Sequence, residues 1–564
     1  LSIPAGSYGY AYDSAGRLDG MTAPGGITLD YGYNGSLLTG VTWSGGLNGS
    51  VGYGYDNDFR VNAITVNGVN AIAYQYDADS LLTRAGDLTL TRSSQNGLLT
   101  GTALSNTTET YTYNSFGEMS AYTGKYSNTN LLAFTYTRDK LGRITQKAET
   151  VQGTTTTYDY RYDAIGQLIE VKQNGGITAS YSYDPNGNRL SKTGLGINET
   201  GSYDAQDRML SYAGATYSYT ANGELQSKVQ GGQTTTYHYD ALGNLRQVTL
   251  PNSTQIDYLI DGQNRRIGKR VNGALVQGFL YQGQLQPAVE LDGSGNVVSC
   301  FVYATGVNVP DYLVKGGQTY RILKDHLGSP RLVVNTATGA IEQRMDFDEY
   351  GKVITDTNPG FQPFGFAGGI YDRDTGLVRF GARDYEAGSG RWMVKDPIGL
   401  AGGVNVYLYS INSPTTYTDL SGYKRTVASV GVDIALDQLM DTIFSDFSDF
   451  SEEERTALAL SNLWEGIRTS GLEKTCAAIK MKIDNTICPG SDSERSEDYY
   501  DRLRDCGYAE ESLELLRIEY QPMVRAAMSS TNNAGLSNAS INEHFKILKR
   551  LFKQYTPQTP SEEN

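Results

Sequence analysis

Tyr8-Gly9-Tyr10-Ala11-Tyr12-Asp13-Ser14-Ala15-Gly16-Arg17-Leu18 decides how this chain is read, because variants of it recur downstream. Tyr160-Arg161-Tyr162-Asp163 runs into Ala164-Ile165-Gly166-Gln167-Leu168, and Tyr181-Ser182-Tyr183-Asp184 runs into a Pro-Asn-Gly-Asn-Arg segment ending at Leu190. Tyr237-His238-Tyr239-Asp240 runs into Ala241-Leu242-Gly243-Asn244-Leu245, and weaker copies start at Tyr53, Tyr74, Tyr111 and Tyr217. The template is YxYDxxGxL. Tyr at i and i+2 shares one face of a strand, because side chains alternate. The Asp carboxylate caps a turn, and the Gly supplies the positive φ the turn requires. The Leu opens the return strand on the apolar face. Each copy therefore predicts a β-hairpin, and hairpins stacked at intervals of roughly 20 residues predict one continuous sheet. The Tyr pairs are read as the packing ladder of that sheet rather than as a sugar-binding row. His238, in the middle position of one copy, is read as a surface substitution.

The pattern then stops. Of 42 Tyr, 37 lie in the first 423 residues, and only six of 65 Gly lie beyond them. Residues 424–564 show helical periodicity instead. Val432, Leu436, Leu439, Met440 and Ile443 fall on one face, as do Ile541, Phe545, Leu548 and Phe552. Pro489 and the charged, Ser-rich run to Ser496 split these helices into two groups. The predicted fold class is mainly β for 1–423, followed by a small, mainly α C-terminal domain.

Composition narrows the function classes. Net charge is −15, and the last 141 residues alone carry 16 Lys+Arg against 24 Asp+Glu, or −8. Phosphate recognition needs a basic surface, so nucleic acid is not an expected partner. There is no run of 18 apolar residues, so no transmembrane helix is expected. The sequence opens inside a repeat without an initiator Met, which reads as a piece whose export signal is not legible. Four Cys (Cys300, Cys476, Cys488 and Cys506) without a CxxC spacing predict neither a disulfide framework nor a zinc site. No deaminase, HExxH, P-loop or zinc-finger spacing occurs in 424–564, and Glu543-His544 reads as a solvated helix surface. No cofactor and no metal are expected.

A second kind of signal lies between Arg383 and Gly422: RDYEAGSGRWMVKDPIGLAGGVNVYLYSINSPTTYTDLSG. Asp384 and Asp396 are 12 positions apart across the Gly-rich stretch Ala387–Gly390. That spacing fits a hairpin bringing the two carboxylates face to face. Two close carboxylates cannot both ionise cheaply, so one keeps its proton. The charged one can then activate water while the neutral one polarises a carbonyl. Arg383 can hold a carboxylate ionised or bind the peptide oxygen. The same residues also read as turn caps, since DPxG is a turn sequence and Asp384 fits the YD pattern. Asp325-His326 poses a similar choice, and the Gly-Ser-Pro after it favours a turn cap over an acid–base pair.

The Arg383–Gly422 run resembles the core associated with Rhs and YD-repeat proteins, including the C subunits of insecticidal ABC toxins. Lys324-Asp-His-Leu-Gly-Ser-Pro-Arg331 and Phe347-Asp-Glu-Tyr-Gly351 resemble the segment preceding that core. The resemblance implies a spiral of hairpins forming a hollow shell over 1–370 and a self-cleaving core over 371–423. It implies a variable C-terminal cargo over 424–564. It makes Asp384, Asp396 and Arg383 an intramolecular aspartyl protease acting once per molecule. The family's NPxxxxDPxGL cut motif falls on Asn412–Tyr423, which places the cut between Tyr423 and Lys424. Leu420 stands where the family has Pro, and Tyr423 where it has Leu. The implied partners are the enclosed C-terminal domain, subunits of a secretion apparatus or toxin complex, and an immunity protein. The implied location is secreted or at the cell surface of a bacterium. Two other readings stay open: a surface YD-repeat protein binding carbohydrate or partner surfaces, and an ABC-toxin C subunit.

Overall fold

The computed structural model describes residues 2–3, 6–423 and 426–427. The chain divides into two units, Leu1–Leu436 and Asp437–Asn564. The helical reading of 424–564, Lys424 included, falls outside the described residues apart from the two-residue strand Thr426–Val427. No helix among the described residues is long and apolar enough to cross a membrane.

From Gly9–Tyr12 to Val353–Asp356 run 34 strands of one antiparallel meander, each paired with its neighbours in sequence. The YD copies are its hairpins. In the first, Asp13 Oδ1 accepts the amides of Ala15 at 2.8 Å and Arg17 at 2.9 Å, and Gly16 takes φ 77°. The pairing slips by one residue at Ala11/Tyr12, the bulge that lets a short turn join two twisted strands. Asp163, Asp184 and Asp240 bind the amides two and four positions on in the same way. Where the Gly is missing, Phe59 and Ser80 adopt the left-handed conformation themselves, at φ 62° and 63°.

The Tyr pairs pack, as expected. Tyr160, Tyr181 and Tyr237 are buried, whereas His238 is exposed. In several hairpins the Tyr that ends the outgoing strand does more than fill space. Its hydroxyl donates to the first backbone carbonyl of the preceding return strand: Tyr162 to Ile144 at 2.7 Å, Tyr183 to Leu168 at 2.6 Å, Tyr203 to Arg189 at 2.8 Å and Tyr281 to Arg266 at 2.8 Å. Each of these four repeats thus satisfies a polar group left by the bulge of the one before.

The ribbon coils back on itself. Trp43 Nε1 donates to Asp261 Oδ2 at 3.2 Å, 218 residues on, and Tyr53 donates to the Gln282 carbonyl at 3.1 Å, 229 residues on. Apolar clusters follow the same return, joining Ile27, Trp43 and Val51 to Ile267, Phe279 and Val289. Another joins Phe134 and Leu168 to Leu323 and Leu332. Buried ion pairs bridge the turns where Arg331 meets Glu149 at 2.6 Å and Arg321 meets Glu109. The expected spiral of hairpins is therefore present in 9–356.

A separate four-stranded sheet follows, made of Ile370–Asp372, Leu377–Phe380, Arg383–Glu386 and Arg391–Trp392. Its core is aromatic: Phe366, Phe380, Tyr385, Trp392 and Tyr409 form one cluster.

Candidate functional site

Arg383 and Asp384 open the strand Arg383–Glu386, directly after the tight turn at Gly381, whose φ is 43°. Adjacent strand residues point to opposite faces, and the two side chains accordingly meet different partners. Asp384 Oδ1 accepts Arg266 Nη2 at 2.8 Å, and its Oδ2 accepts Arg379 Nη1 at 3.0 Å. Arg383 Nη2 lies 2.9 Å from Asp396 Oδ2 and 2.8 Å from Asp419 Oδ2, with the guanidinium 4.1 Å from the centre of the Trp392 ring. All of these charged side chains are buried.

The face-to-face pairing of Asp384 with Asp396 expected from their spacing is therefore corrected. The carboxylate that shares a partner with Asp396 is Asp419, because strand alternation sends Asp384 the other way. Arg383 and Asp396 do come together as expected. Asp396 also keeps its turn role, accepting the Ile398 amide at 3.1 Å. Burial pushes the Asp396 carboxyl above its ordinary range, with Arg383 opposing. Burial also raises Asp419, again against Arg383, and the neighbouring Asp396 adds to the rise. Burial pushes Arg383 down in spite of both. Two buried carboxylates on one guanidinium leave an excess negative charge, and holding a proton is the cheapest balance.

The stretch that carries the cut motif is seated on this site. Ser410, Ile411 and Asn412 take φ values of 47°, 47° and 57°, a left-handed turn that starts the segment. Asn412 Nδ2 anchors it to Gln167 Oε1 at 2.8 Å and the Gly187 carbonyl at 2.7 Å. Farther on, Ala382 N donates to the Ser421 carbonyl at 2.9 Å, and Tyr423 N donates to Asp419 Oδ1 at 3.1 Å. The Gly381–Ser421 approach tolerates no side chain, since a Cβ on Gly381 would collide with the Ser421 carbonyl. Leu420 packs against the aromatic cluster, so the departure from Pro is accommodated. The Tyr423 phenol acts electrostatically on Arg379, the partner of Asp384. Tyr423 is thus bound through its amide to the Asp419 half of the site and lies within electrostatic range of the Asp384 half. Lys424 lies outside the described residues.

Asp325 caps its turn through the amides of Leu327 at 3.0 Å and Ser329 at 2.9 Å, as the turn-cap reading requires. His326 is buried, with Nε2 2.9 Å from the Thr415 carbonyl, and burial lowers its pKa to about 4. Sequence reasoning missed Arg266 and Arg379 as partners of Asp384. It also quoted Asp419 only as a letter of the cut motif. Arg379 was within reach, because a turn at Gly381 sets it opposite Asp384. Arg266 was not, since only the coiled ribbon brings it there from 118 residues away.

A family model described as Teneurin YD-shell matches residues 2–415. The chain belongs to the Teneurin YD-shell family. It is 29% identical over 295 residues to Teneurin-4 of Homo sapiens, covering 51% of this chain and 11% of that protein. It is 35% identical over 107 residues to Toxin protein Tse5 of Pseudomonas aeruginosa, covering 19% of this chain and 8% of that protein. Among solved structures it is similar to the Photorhabdus luminescens Tc holotoxin pore, at 16% identity and a TM-score of 0.44, covering 74% of this chain and 21% of that one. The chain spans about a tenth of the length of the curated relatives it matches.

Proposed function

We propose that this YD-shell is of toxin type: it encloses its own C-terminal region as cargo and cuts the chain once, between Tyr423 and Lys424. The observation that carries this reading is the seating of the cut motif on the core. Asp419 lies against Arg383 and Ser421 against Ala382, and the Tyr423 amide is held by Asp419 within electrostatic range of Arg379. Asp384, Asp396 and Arg383 supply the chemistry. Asp384, held by Arg266 and Arg379, takes a proton from water. The hydroxide adds to the Tyr423 carbonyl carbon. The Asp396 carboxyl, raised by burial, supports the developing oxyanion and delivers its proton to the Lys424 nitrogen as the C–N bond breaks. Water is consumed, one carboxylic acid and one amine are formed, and the proton taken up by Asp384 balances the one given by Asp396. Partners in this reading are the enclosed segment, subunits of a toxin complex or secretion apparatus, and an immunity protein. Its location is secreted or cell-surface.

Mass spectrometry of the purified chain tests it. The parent is expected to yield a fragment ending at Tyr423, and Asp384→Asn and Asp396→Asn to stay full length. Equal cleavage in parent and variants refutes the assignment of the carboxylates. A parent that stays whole refutes the self-cleavage reading itself.

A further inference from the structure

We propose that Arg266 and Arg379, with Asn264 at the rim, bind one small monovalent anion of halide size, which fastens the four-stranded sheet to the ribbon. Nothing in the self-cleavage reading requires such a ligand.

Residues 264–266 of the ribbon meet Ile370, Arg379 and Gly381 of the core around a cavity of about 30 Å³. That is room for one guest the size of a water or a halide. Three guanidinium groups line it, from Arg265, Arg266 and Arg379, and among the described residues no carboxylate does. The carboxylates nearby are engaged elsewhere. Asp261 pairs with Arg265, and Asp372 with Lys269 and Tyr258. Asp384 is shared by Arg266 and Arg379 and takes one nitrogen of each. Asn244 Oδ1 takes Arg379 Nη2 at 3.0 Å. Arg266 Nε and Nη1 and Arg379 Nε are then left buried without a hydrogen-bond partner among the described residues. Both side chains belong to residues only 4% exposed. Burial pushes Arg379 below its ordinary range; Asp384 opposes this, and the like charge of Arg266 adds to it. Two buried cations on one carboxylate leave surplus positive charge as well as idle N–H groups. A water answers the second need only, whereas an anion answers both.

The hairpin turns supply a comparison. Asn264 stands three positions after the turn residue Asp261 and takes φ 63°. In an earlier hairpin the position three after Asp204 is Asp207, at φ 60°. There the turn brings a carboxylate to the core: Asp207 acts electrostatically on Arg391, whose Nη2 donates to the Asp207 carbonyl at 2.7 Å. The Asn264 turn faces two core-side arginines with a neutral amide instead. Asn264 Oδ1 is itself without a partner among the described residues, and the amide turned end for end presents Nδ2 to the cavity. The negative charge that Asp207 supplies from within the chain is here left to the solution.

Bromide is the probe. Urea unfolding of the whole chain is followed by Trp fluorescence in sodium bromide and in sodium gluconate at equal ionic strength, gluconate being too large for the cavity. The folded state is expected to gain over the unfolded by the factor 1 + [Br⁻]/Kd, about elevenfold at ten times Kd. Asn264→Asp places a carboxylate in the site at a φ that Asp207 already holds. It is expected to raise the midpoint in gluconate and to abolish the gain from bromide. Arg266→Lys keeps a cation for Asp384 but loses the Nε and Nη1 edge, and is expected to lose the bromide gain as well. Anomalous scattering from a bromide-soaked crystal is expected to show a peak between Arg266 Nε and Arg379 Nε. A bromide gain of parental size in both variants is a bulk salt effect and overturns the site. A parent indifferent to bromide, or a crystal without that peak, overturns it too. If Arg266→Lys does not fold, Asn264→Asp and the peak decide. None of these readouts depends on the chain being cut, so failure here leaves the self-cleavage reading standing.

Discussion

Arg383 and Asp384 are covalent neighbours, yet each answers to a different set of charges, and strand alternation alone divides them. Their types and positions were legible in the sequence. Their partners were not, because Arg266 and Asp419 reach them only through the coil of the ribbon and the return of the 412–423 segment. His326 teaches a similar lesson. The motif around it reads correctly as a turn, but only the fold shows it to be a buried neutral imidazole against the Thr415 carbonyl. Its pKa falls from 6.5 to about 4 on folding. A depressed His favours the folded state while it is neutral, so its contribution is full above pH 6.5. It is lost as pH falls from there toward 4, by about 3 kcal/mol at the limit. His326→Gln keeps a donor toward Thr415 and cannot titrate. The urea midpoint of the variant is expected to fall less than that of the parent between pH 7 and pH 4.5. Equal falls would show that the imidazole is not the titrating group.

The hairpin was the most legible element. YxYDxxGxL named its strands, its cap and its positive-φ residue, and the register slip at Ala11/Tyr12 sits where the template puts the turn. Two things were hidden. Phe59 and Ser80 hold left-handed backbone without Gly, so copies that look weak as sequence are complete as structure. The hydroxyl of the YD tyrosine was also invisible, because its acceptor is a backbone carbonyl one hairpin back. That bond predicts a position-dependent cost. Tyr281 is buried and donates to the Arg266 carbonyl, so Tyr281→Phe leaves a buried acceptor unpaired and is expected to cost about 1–3 kcal/mol. Tyr12, 58% exposed at the start of the meander, is the control, and Tyr12→Phe is expected to change the denaturation midpoint little. Equal effects at both positions would mean that ring packing, not the hydroxyl, carries the ladder.

At the scale of the molecule, what matters is that the ribbon meets itself. Local pairing makes a strip. The returning turn makes a wall, closed by bonds such as Trp43 to Asp261 and Arg331 to Glu149 between residues far apart in sequence. Such buried pairs are costly to break singly, because the partner left behind is a desolvated charge. A wall of this kind opens cooperatively or not at all, since freeing one strand exposes backbone groups on its neighbours. In the proposed function this is the device that retains the cut segment. Once the Tyr423–Lys424 bond is gone, no covalent link holds 424–564, and beyond the short pairing of Thr426–Val427 with Tyr417–Thr418 it is enclosure that keeps it. Cleaved protein is therefore expected to run as one species in size-exclusion chromatography under native conditions. The C-terminal fragment is expected to separate, and to become protease-sensitive, only at the denaturant concentration that unfolds the β-ribbon. Arg331→Met removes the bidentate pair with Glu149, leaves that buried carboxylate with Lys147 alone at 3.1 Å, and is expected to lower this release concentration together with the unfolding midpoint. If the fragment elutes alone from the parent in native buffer, or is digested faster than the ribbon, enclosure is refuted, and a YD-shell that displays a surface to partners becomes the better account.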